Sequence, residues 1–496
     1  MSQLSREEFL KLSQRGNLIP VYKELLGDLE TPVSAYFKLA GNSKYSFLLE
    51  SVEGEEKFAR FSFIARDPQL VVRSKGRQVR ILRLVKGKRT QEKRAFKGSP
   101  LSIVRELMKD YKAVNIPQLP RFYGGMVGYL SYDCARFFER LPDKTEDDLK
   151  LDDMVLMLAQ DLVIFDHRNH TIKAVSCVYL GKGENRSARL KKYDAALKRI
   201  DALARDLGRP STAKKSAKSK KLKFKSTCTK AQYERMVKRA QEHIVAGDII
   251  QVVLSQRLSA DIGVAPFEIY RKLRALNPSP YMFYLDLDGL QLVGASPELL
   301  VRCENGLVET RPIAGTRPRG ESGAQDEALK KDLLADPKEK AEHVMLVDLG
   351  RNDLGRVCER GTVEISEFMN VEKYSHVMHI VSNVQGKLRS DKDALDVLEA
   401  SFPAGTVSGA PKIRAMEIIE DLEGQKRGPY AGAVGYFSFS KNLDMCITIR
   451  TIVVSGSKAY VQAGAGIVAD SKPAAEYTET LNKAKAQMKA IELAHA

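Results

Sequence analysis

The 496-residue chain is 43% hydrophobic and 29% charged, enough to bury a large core and long enough for roughly two to three domains. Its net charge of +17 raises nucleic acid as a ligand, but no helix-turn-helix, RRM or zinc-finger pattern accompanies it, and a positive surface equally steers a small anionic substrate. No apolar run reaches the ~18 residues of a membrane span, the polar start is unlike a secretion signal, and the six scattered cysteines (Cys134, Cys177, Cys228, Cys303, Cys358, Cys446) lack a C-x-x-C, so neither a disulfide framework nor a zinc site is expected and a reducing cytoplasm is the simplest compartment.

In chain order, "YSFLLESV" and "YGGMVGYLSYD" alternate as strands, with "PLSIVRELMKDY" reading as a helix between them. "KKSAKSKKLKFK", Lys214 to Lys225, carries seven lysines and no acid, the composition of a solvated linker. Thr229 then reads as an N-cap before Tyr233, Met236, Val237, Ala240 and Ile244, with Gly247 as the stop. "DIIQVVLSQRLSA" alternates as a strand that sets Gln251, Val253 and Ser255 on one face.

"ETRPIAGTRPRG", Glu309 to Gly320, reads as a turn rich in arginine. Such turns usually handle an anion, yet its centre is Ala314, which has no reactive group. Asp336 reads as an N-cap, with Pro337 at the first helical position. Glu339 and Glu342 then share one helix face. The last helix, from about Pro473 to Leu493, repeats the device with Glu476 and Glu479. Acids in a first turn complement the helix dipole without further purpose; if the two pairs meet, they offer the hard oxygen ligands that magnesium takes.

His379 lies in an apolar-rich segment, where a histidine serves either as a satisfied core residue or as a functional group. Gly405, Thr406, Ser408 and Gly409 precede a helix, the arrangement of an anion seat. "AGAVGYFSFS", "MCITIRTIVVS" and "KAYVQAGAGIVA" suggest an antiparallel sheet. Arg450 occupies a strand position among apolar neighbours and calls for a carboxylate, internal or bound. Gly464 and Gly466 end a strand where a ligand or another backbone approaches closely.

"PSPYMFYLDLDGLQLVGASPELLVR", "ETRPIAGTRPRG", "AEHVMLVDLGRNDLGRV", "SHVMHIVS", "FPAGTVSGAPK", "GPYAGAVGY", "ITIRT" and "GAGIVADSKPAAEYTET" occur in one order, and together they resemble the chorismate-utilising enzymes. The resemblance is dense from Thr229 to Ile491 and looser over Asn17 to Ala174. It implies an α+β fold of two extended antiparallel or mixed sheets packed as a sandwich, with helices outside. It divides the chain into an N-terminal region at 15–180 with a tryptophan regulatory site, a Lys-rich linker or insertion at 205–228, and a chorismate-binding catalytic domain at 229–492.

Residue by residue, Glu342 and Glu479 resemble Mg²⁺ ligands, with Glu339 and Glu476 as their partners through water. Tyr430, Arg450 and the Gly464-Ala465-Gly466 backbone resemble the seat of the enolpyruvyl carboxylate. Thr406 resembles a residue lining the ring, and His379 the histidine that assists the chemistry. Glu50, Ser51, Pro280, Tyr281 and Met282 resemble a tryptophan feedback site.

Relatives that make aminodeoxychorismate carry a lysine where Ala314 stands. Relatives that make isochorismate or salicylate carry one at the position of Gln251. With neither, the chain is expected to use free ammonia, giving anthranilate and pyruvate from chorismate. No cysteine sits in a glycine-flanked elbow, so a separate glutamine amidotransferase subunit is the expected ammonia source. The alternatives are aminodeoxychorismate or 2-amino-2-deoxyisochorismate formation by the same site, or a non-catalytic basic binding protein on this fold.

Overall fold

The computed structural model describes residues 3–41, 43–51, 60–85, 88–210, 222–374 and 377–496. Most of the lysine run, residues 214–221, lies outside them. Two twelve-stranded sheets dominate. The first begins with Leu18–Leu26, Thr171–Tyr179, Asp161–Asp166, Phe61–Arg66 and Tyr45–Glu50. It continues through Tyr281–Leu287, Leu290–Ser296, Thr451–Ser455, Lys458–Ile467 and Gln251–Asp261. The second runs from Ile313–Pro318 through Val377–Lys387, Leu307–Thr310, Leu299–Glu304, Leu443–Ile447 and Ala433–Ser438 to Gly125–Leu130, Met154–Ala159 and the hairpin ending at Ala95. Every ladder between named strands is antiparallel among the described residues. The expected α+β class is borne out. Each sheet joins one block of strands from before the lysine run to one block from after it.

The period-2 pattern explains the layering. Along one strand Leu18 and Tyr22 enter the cluster that lies between the sheets, while Ile19 and Val21 enter a second cluster. Phe47 and Leu48 part the same way, as do Phe63 and Ile64. The second cluster is closed by helices Pro32–Ala40, Arg186–Leu207, Pro266–Leu276 and Pro473–His495 on the outer face of the first sheet. The aromatic packing is built entirely from the chain's 18 Tyr and 18 Phe, since it has no Trp. Each such ring fully buried contributes about 1.5–3 kcal/mol. No helix among the described residues is long and apolar enough to cross a membrane.

The sequence-derived ends hold. The Thr229 hydroxyl caps Lys230–Val245 in a capping box with Gln232, and Gly247 follows in the left-handed region at φ 81°. Asp336 accepts from the amides of Lys338 and Glu339, at 2.9 and 3.3 Å, to start Pro337–Gly355. In the second sheet Gly128 faces Gly435 across the ladder. A Cβ on Gly128 would stand 1.9 Å from the Val155 carbonyl oxygen. Gly128→Ala is therefore expected to destabilise the chain by about 3 kcal/mol through overpacking. Urea unfolding checks this, and unchanged stability would mean that these strands are not so close.

Candidate functional site

The chain passes from the first sheet to the second between Ser296 and Leu299, and returns between Ile447 and Thr451. The two crossings lie against each other. The Ile447 amide donates to the Glu298 carbonyl at 3.0 Å, the Ser296 hydroxyl to the Ile447 carbonyl at 2.7 Å, and the Ala295 amide to the Arg450 carbonyl at 3.2 Å. "MCITIRTIVVS" is thus two strands in different sheets rather than one. Arg450 sits in the break at φ 51°, a left-handed conformation uncommon for a non-glycine residue. Its guanidinium donates to the Lys483 carbonyl, and burial lowers its pKa. Among the described residues it has no carboxylate ion pair, so the internal salt bridge that the sequence left open is not made.

Tyr430 lies beside Arg450. Burial raises its phenol pKa to about 12, against the lowering effect of Arg427 and Arg450. A Cβ on Gly464 would fall 2.8 Å from the Tyr430 hydroxyl and 2.9 Å from the Leu254 carbonyl oxygen. One on Gly466 would fall 2.3 Å from the Gln251 amide nitrogen. Gly464 is therefore required by the close approach of backbone, whereas Gly466 faces only the movable end of Gln251, and the Gly464-Ala465-Gly466 backbone lies bare beside a tyrosine and a glutamine. Gln251 in turn donates to Glu342 Oε1 at 3.3 Å.

The two acid-bearing helices converge on this strand end. Glu339 has a raised pKa, from burial first and then from Glu342, against Arg317. Glu476 is likewise raised by burial and by Glu479, with Lys338 of the other helix acting against it. Glu479 pairs with Lys483 at 2.6 Å, and Lys483 also donates to the Gly464 carbonyl at 3.2 Å. Each pair thus crowds carboxylates in a partly buried place, and this all-oxygen donor chemistry suits a hard divalent cation. The pairs are not drawn into one cluster: among the described residues no three His, Cys, Asp or Glu side chains are gathered closely enough to hold a metal.

"ETRPIAGTRPRG" is a bulged strand rather than a turn. Ala314 pairs with Ile380 and Thr316 with His379, and the register slips at Gly315, whose φ is 71°. Its arginines serve acids of the chain. Arg317 meets Asp332, Asp336 and Glu339 at 2.6, 2.9 and 3.4 Å, Arg319 meets Asp326 at 2.7 Å, and Arg311 meets Glu372. The slip aims the Gly315 carbonyl at His379 Nδ1, 2.9 Å away. A carbonyl only accepts, so Nδ1 carries the proton and Nε2 is the free base. Burial lowers the His379 pKa, partly offset by that bond, and Arg450 lowers it further.

Two residues were missed in the sequence. Glu298, inside the apolar "GASPELL", is buried at the first crossing, and desolvation pushes its carboxyl up to about 8 against the Thr406 hydroxyl and Lys483. It lines a cavity of about 30 Å³ with Thr406, Gly405 and Ser401. Lys483 joins Glu479, the Gly464 carbonyl and the Arg450 segment. Neither gave a signal in the sequence, because Glu298 is distinguished by burial and Lys483 by its i, i+4 place behind Glu479.

Glu50, Ser51, Pro280, Tyr281 and Met282 line one cavity of about 930 Å³ walled by both sheets. Glu50 receives Arg274 at 3.0 and 3.1 Å and the Tyr270 hydroxyl. The Ser51 hydroxyl is buried without a partner among the described residues. The Tyr281 hydroxyl donates to Asp444 at 3.0 Å.

The chorismate binding enzyme family matches residues 44–489. Anthranilate synthase component 1 of Acetivibrio thermocellus is 50% identical over 483 residues, 96% of either chain. That of Aquifex aeolicus is 49% identical, over 99% of this chain and 98% of its own. The crystal structure of anthranilate synthase component I from Streptococcus pneumoniae superposes with a TM-score of 0.75 at 38% identity, covering 93% of this chain and 98% of that one. The menaquinone-specific isochorismate synthase of Escherichia coli shares the fold, with a TM-score of 0.70 at 19% identity.

Glu298 keeps its proton in the folded chain up to about pH 8, whereas an unfolded glutamic acid gives it up near 4.5. Its folded pKa is raised, so this stabilising contribution is full below about pH 4.5 and is lost as pH rises towards 8. Glu298→Gln, neutral throughout, should therefore gain on the parent by up to about 1.4 kcal/mol per pH unit across that window. Urea titrations at both ends test this, and an equal difference at each would contradict it.

Proposed function

The chain belongs to the chorismate binding enzymes, and we propose that it is an anthranilate synthase component 1, a lyase of tryptophan biosynthesis that forms anthranilate, pyruvate and water from chorismate and ammonia. Near-full-length identity to relatives of that name carries the reading. Ala314 and Gln251 support it, because neither offers an amine to attack the ring or to activate water.

Arg450, Tyr430 and the Gly464-Ala465-Gly466 backbone hold the enolpyruvyl carboxylate, the anion that a guanidinium without a carboxylate partner suits. Glu342 and Glu479 would hold Mg²⁺, with Glu339 and Glu476 assisting through water. When bound, the ion supplies positive charge opposite the ring carboxylate. Ammonia adds at C2 while the C4 hydroxyl leaves. Glu298, still protonated near neutral pH, gives that hydroxyl the proton it needs to depart as water. Thr406, beside Glu298, lines the ring. The ammonium formed at C2 gives up a proton to solvent; Nε2 of His379 then takes the C2 proton as the C3–O bond breaks, the ring becomes aromatic, and the released enolpyruvate takes up a proton to become pyruvate.

The ammonia comes from outside. Each of the six thiols has a pKa raised by burial, the opposite of an activated nucleophile. A glutamine amidotransferase component therefore supplies it, and ammonium salts replace that component in the test tube. Six free cysteines support a cytoplasmic setting for the pair. Tryptophan occupies the cavity of Glu50, Ser51, Pro280, Tyr281 and Met282 and inhibits from there by favouring one of two states. The unpartnered Ser51 hydroxyl supports that assignment.

The deciding assay is fluorescence of anthranilate formed from chorismate, Mg²⁺ and ammonium, with EDTA as control. No product under these conditions overturns the reading. Glu342→Gln and Glu479→Gln should each abolish turnover and the Mg²⁺-dependent rise in Tm; near-normal values of both would remove the metal from these residues. Ala314→Lys should stop ammonia-dependent turnover, with intact mass reporting any covalent adduct, and normal rates would place residue 314 away from C2. Ser51→Phe should leave basal activity largely intact and abolish inhibition by tryptophan, so equal inhibition of parent and variant would move the regulatory site elsewhere.

A further inference from the structure

Arg427 lies outside the substrate-contacting set and is only 2% exposed. Its guanidinium forms a fork on Glu423, at 2.8 and 2.6 Å. It also donates to the Val407 carbonyl at 2.7 Å and the Val253 carbonyl at 2.7 Å. Its plane sits 4.6 Å from the centroid of Tyr132 and 5.6 Å from that of Tyr430. Glu423 also accepts from the amide and hydroxyl of Ser255, at 2.7 and 2.9 Å. Ser255 pairs with Gly464, and Val253 with Gly466.

Four stretches of sequence therefore meet on one side chain: the loop holding Thr406, the strand next to Gly464 and Gly466, the segment carrying Tyr132, and its own run from the end of helix Lys412–Glu423 to Tyr430. An arginine suits this role because one planar group donates in several fixed directions while its faces receive rings; a lysine ammonium has neither plane nor fork. For stability alone, an apolar cluster of similar volume commonly serves as well as a buried ion pair. What an apolar cluster lacks is fixed direction, and direction is what three segments presenting one substrate seat require.

We propose that Arg427 is the positioning residue of the substrate seat: by bonding the carbonyls of Val407 and Val253 and stacking on Tyr430, it sets the spacing between Thr406, Tyr430 and the Gly464–Gly466 backbone. This rests on reading those residues as the substrate seat. It assigns Arg427 no contact with the reacting atoms.

Arg427→Lys keeps a cation for Glu423 and removes the fork and the plane. The KM for chorismate in the ammonium assay is expected to rise about 10- to 100-fold, as for a displaced binding group, with kcat changed far less. Tryptophan affinity is the control that a general packing defect would move and a local one would not. The chain has no tryptophan of its own, so the ligand's indole fluorescence reports its binding directly, and that affinity should stay at the parent value. An unchanged KM overturns the proposal, as does a parallel loss of tryptophan affinity. If Arg427→Lys does not fold, Tyr132→Leu retains the ion pair and both carbonyl bonds but frees one face of the guanidinium. It should raise KM in the same direction with tryptophan affinity retained, and an unchanged KM there overturns the proposal equally. A parent without ammonium-dependent anthranilate formation would instead sink the functional reading itself.

Discussion

A chain that leaves one sheet for another must satisfy its backbone groups at the corner, and two of this protein's crossings do so against each other. The crossings at 296–299 and 447–451 bond each other: Ile447 gives its amide to Glu298 and receives the Ser296 hydroxyl, while Arg450 accepts from Ala295. Neither corner would be dry and satisfied without its neighbour. The mutual arrangement buries Glu298, which raises its carboxyl pKa, and turns Arg450 out of the strand into the left-handed region, where it meets Lys483 rather than an acid. The burial of Glu298 and the turn of Arg450 toward the last helix both follow from this one constraint.

The short strand Leu443–Ile447 lies between the large cavity and the small one. Asp444 and Cys446 line the large cavity between the sheets, and Ile447, next in sequence, lines the small cavity of Glu298. Alternating sides of a strand thus serve the two places. Asp444 is itself pinned by Arg302, Arg121 and the Tyr281 hydroxyl, so a ligand touching Tyr281 also meets the strand that runs to the crossing at Glu298.

Local chemistry was legible in the sequence and long-range geometry was not. The Thr229 and Asp336 caps, the Gln251 strand, the final helix and the glycines at 464 and 466 follow from spacing alone, since each is decided within a few residues. The Arg450 segment reads as one strand because its alternation continues unbroken, and nothing in it records that its halves join different sheets. Glu309 to Gly320 reads as a turn because of its glycines, prolines and arginines. Its bulge at Gly315 is fixed by pairing with a strand more than 60 residues away, and its arginines meet helices that follow. Glu298 carries no mark at all, because its acidity is a property of burial.

The aromatic core built only from tyrosine and phenylalanine has a consequence for the cell. A protein that works at the head of tryptophan synthesis is needed most when that amino acid has run out, and ribosomes starved of charged tryptophan tRNA stall wherever a tryptophan codon appears. These 496 residues contain none, so no tryptophan codon among theirs stalls translation during the shortage.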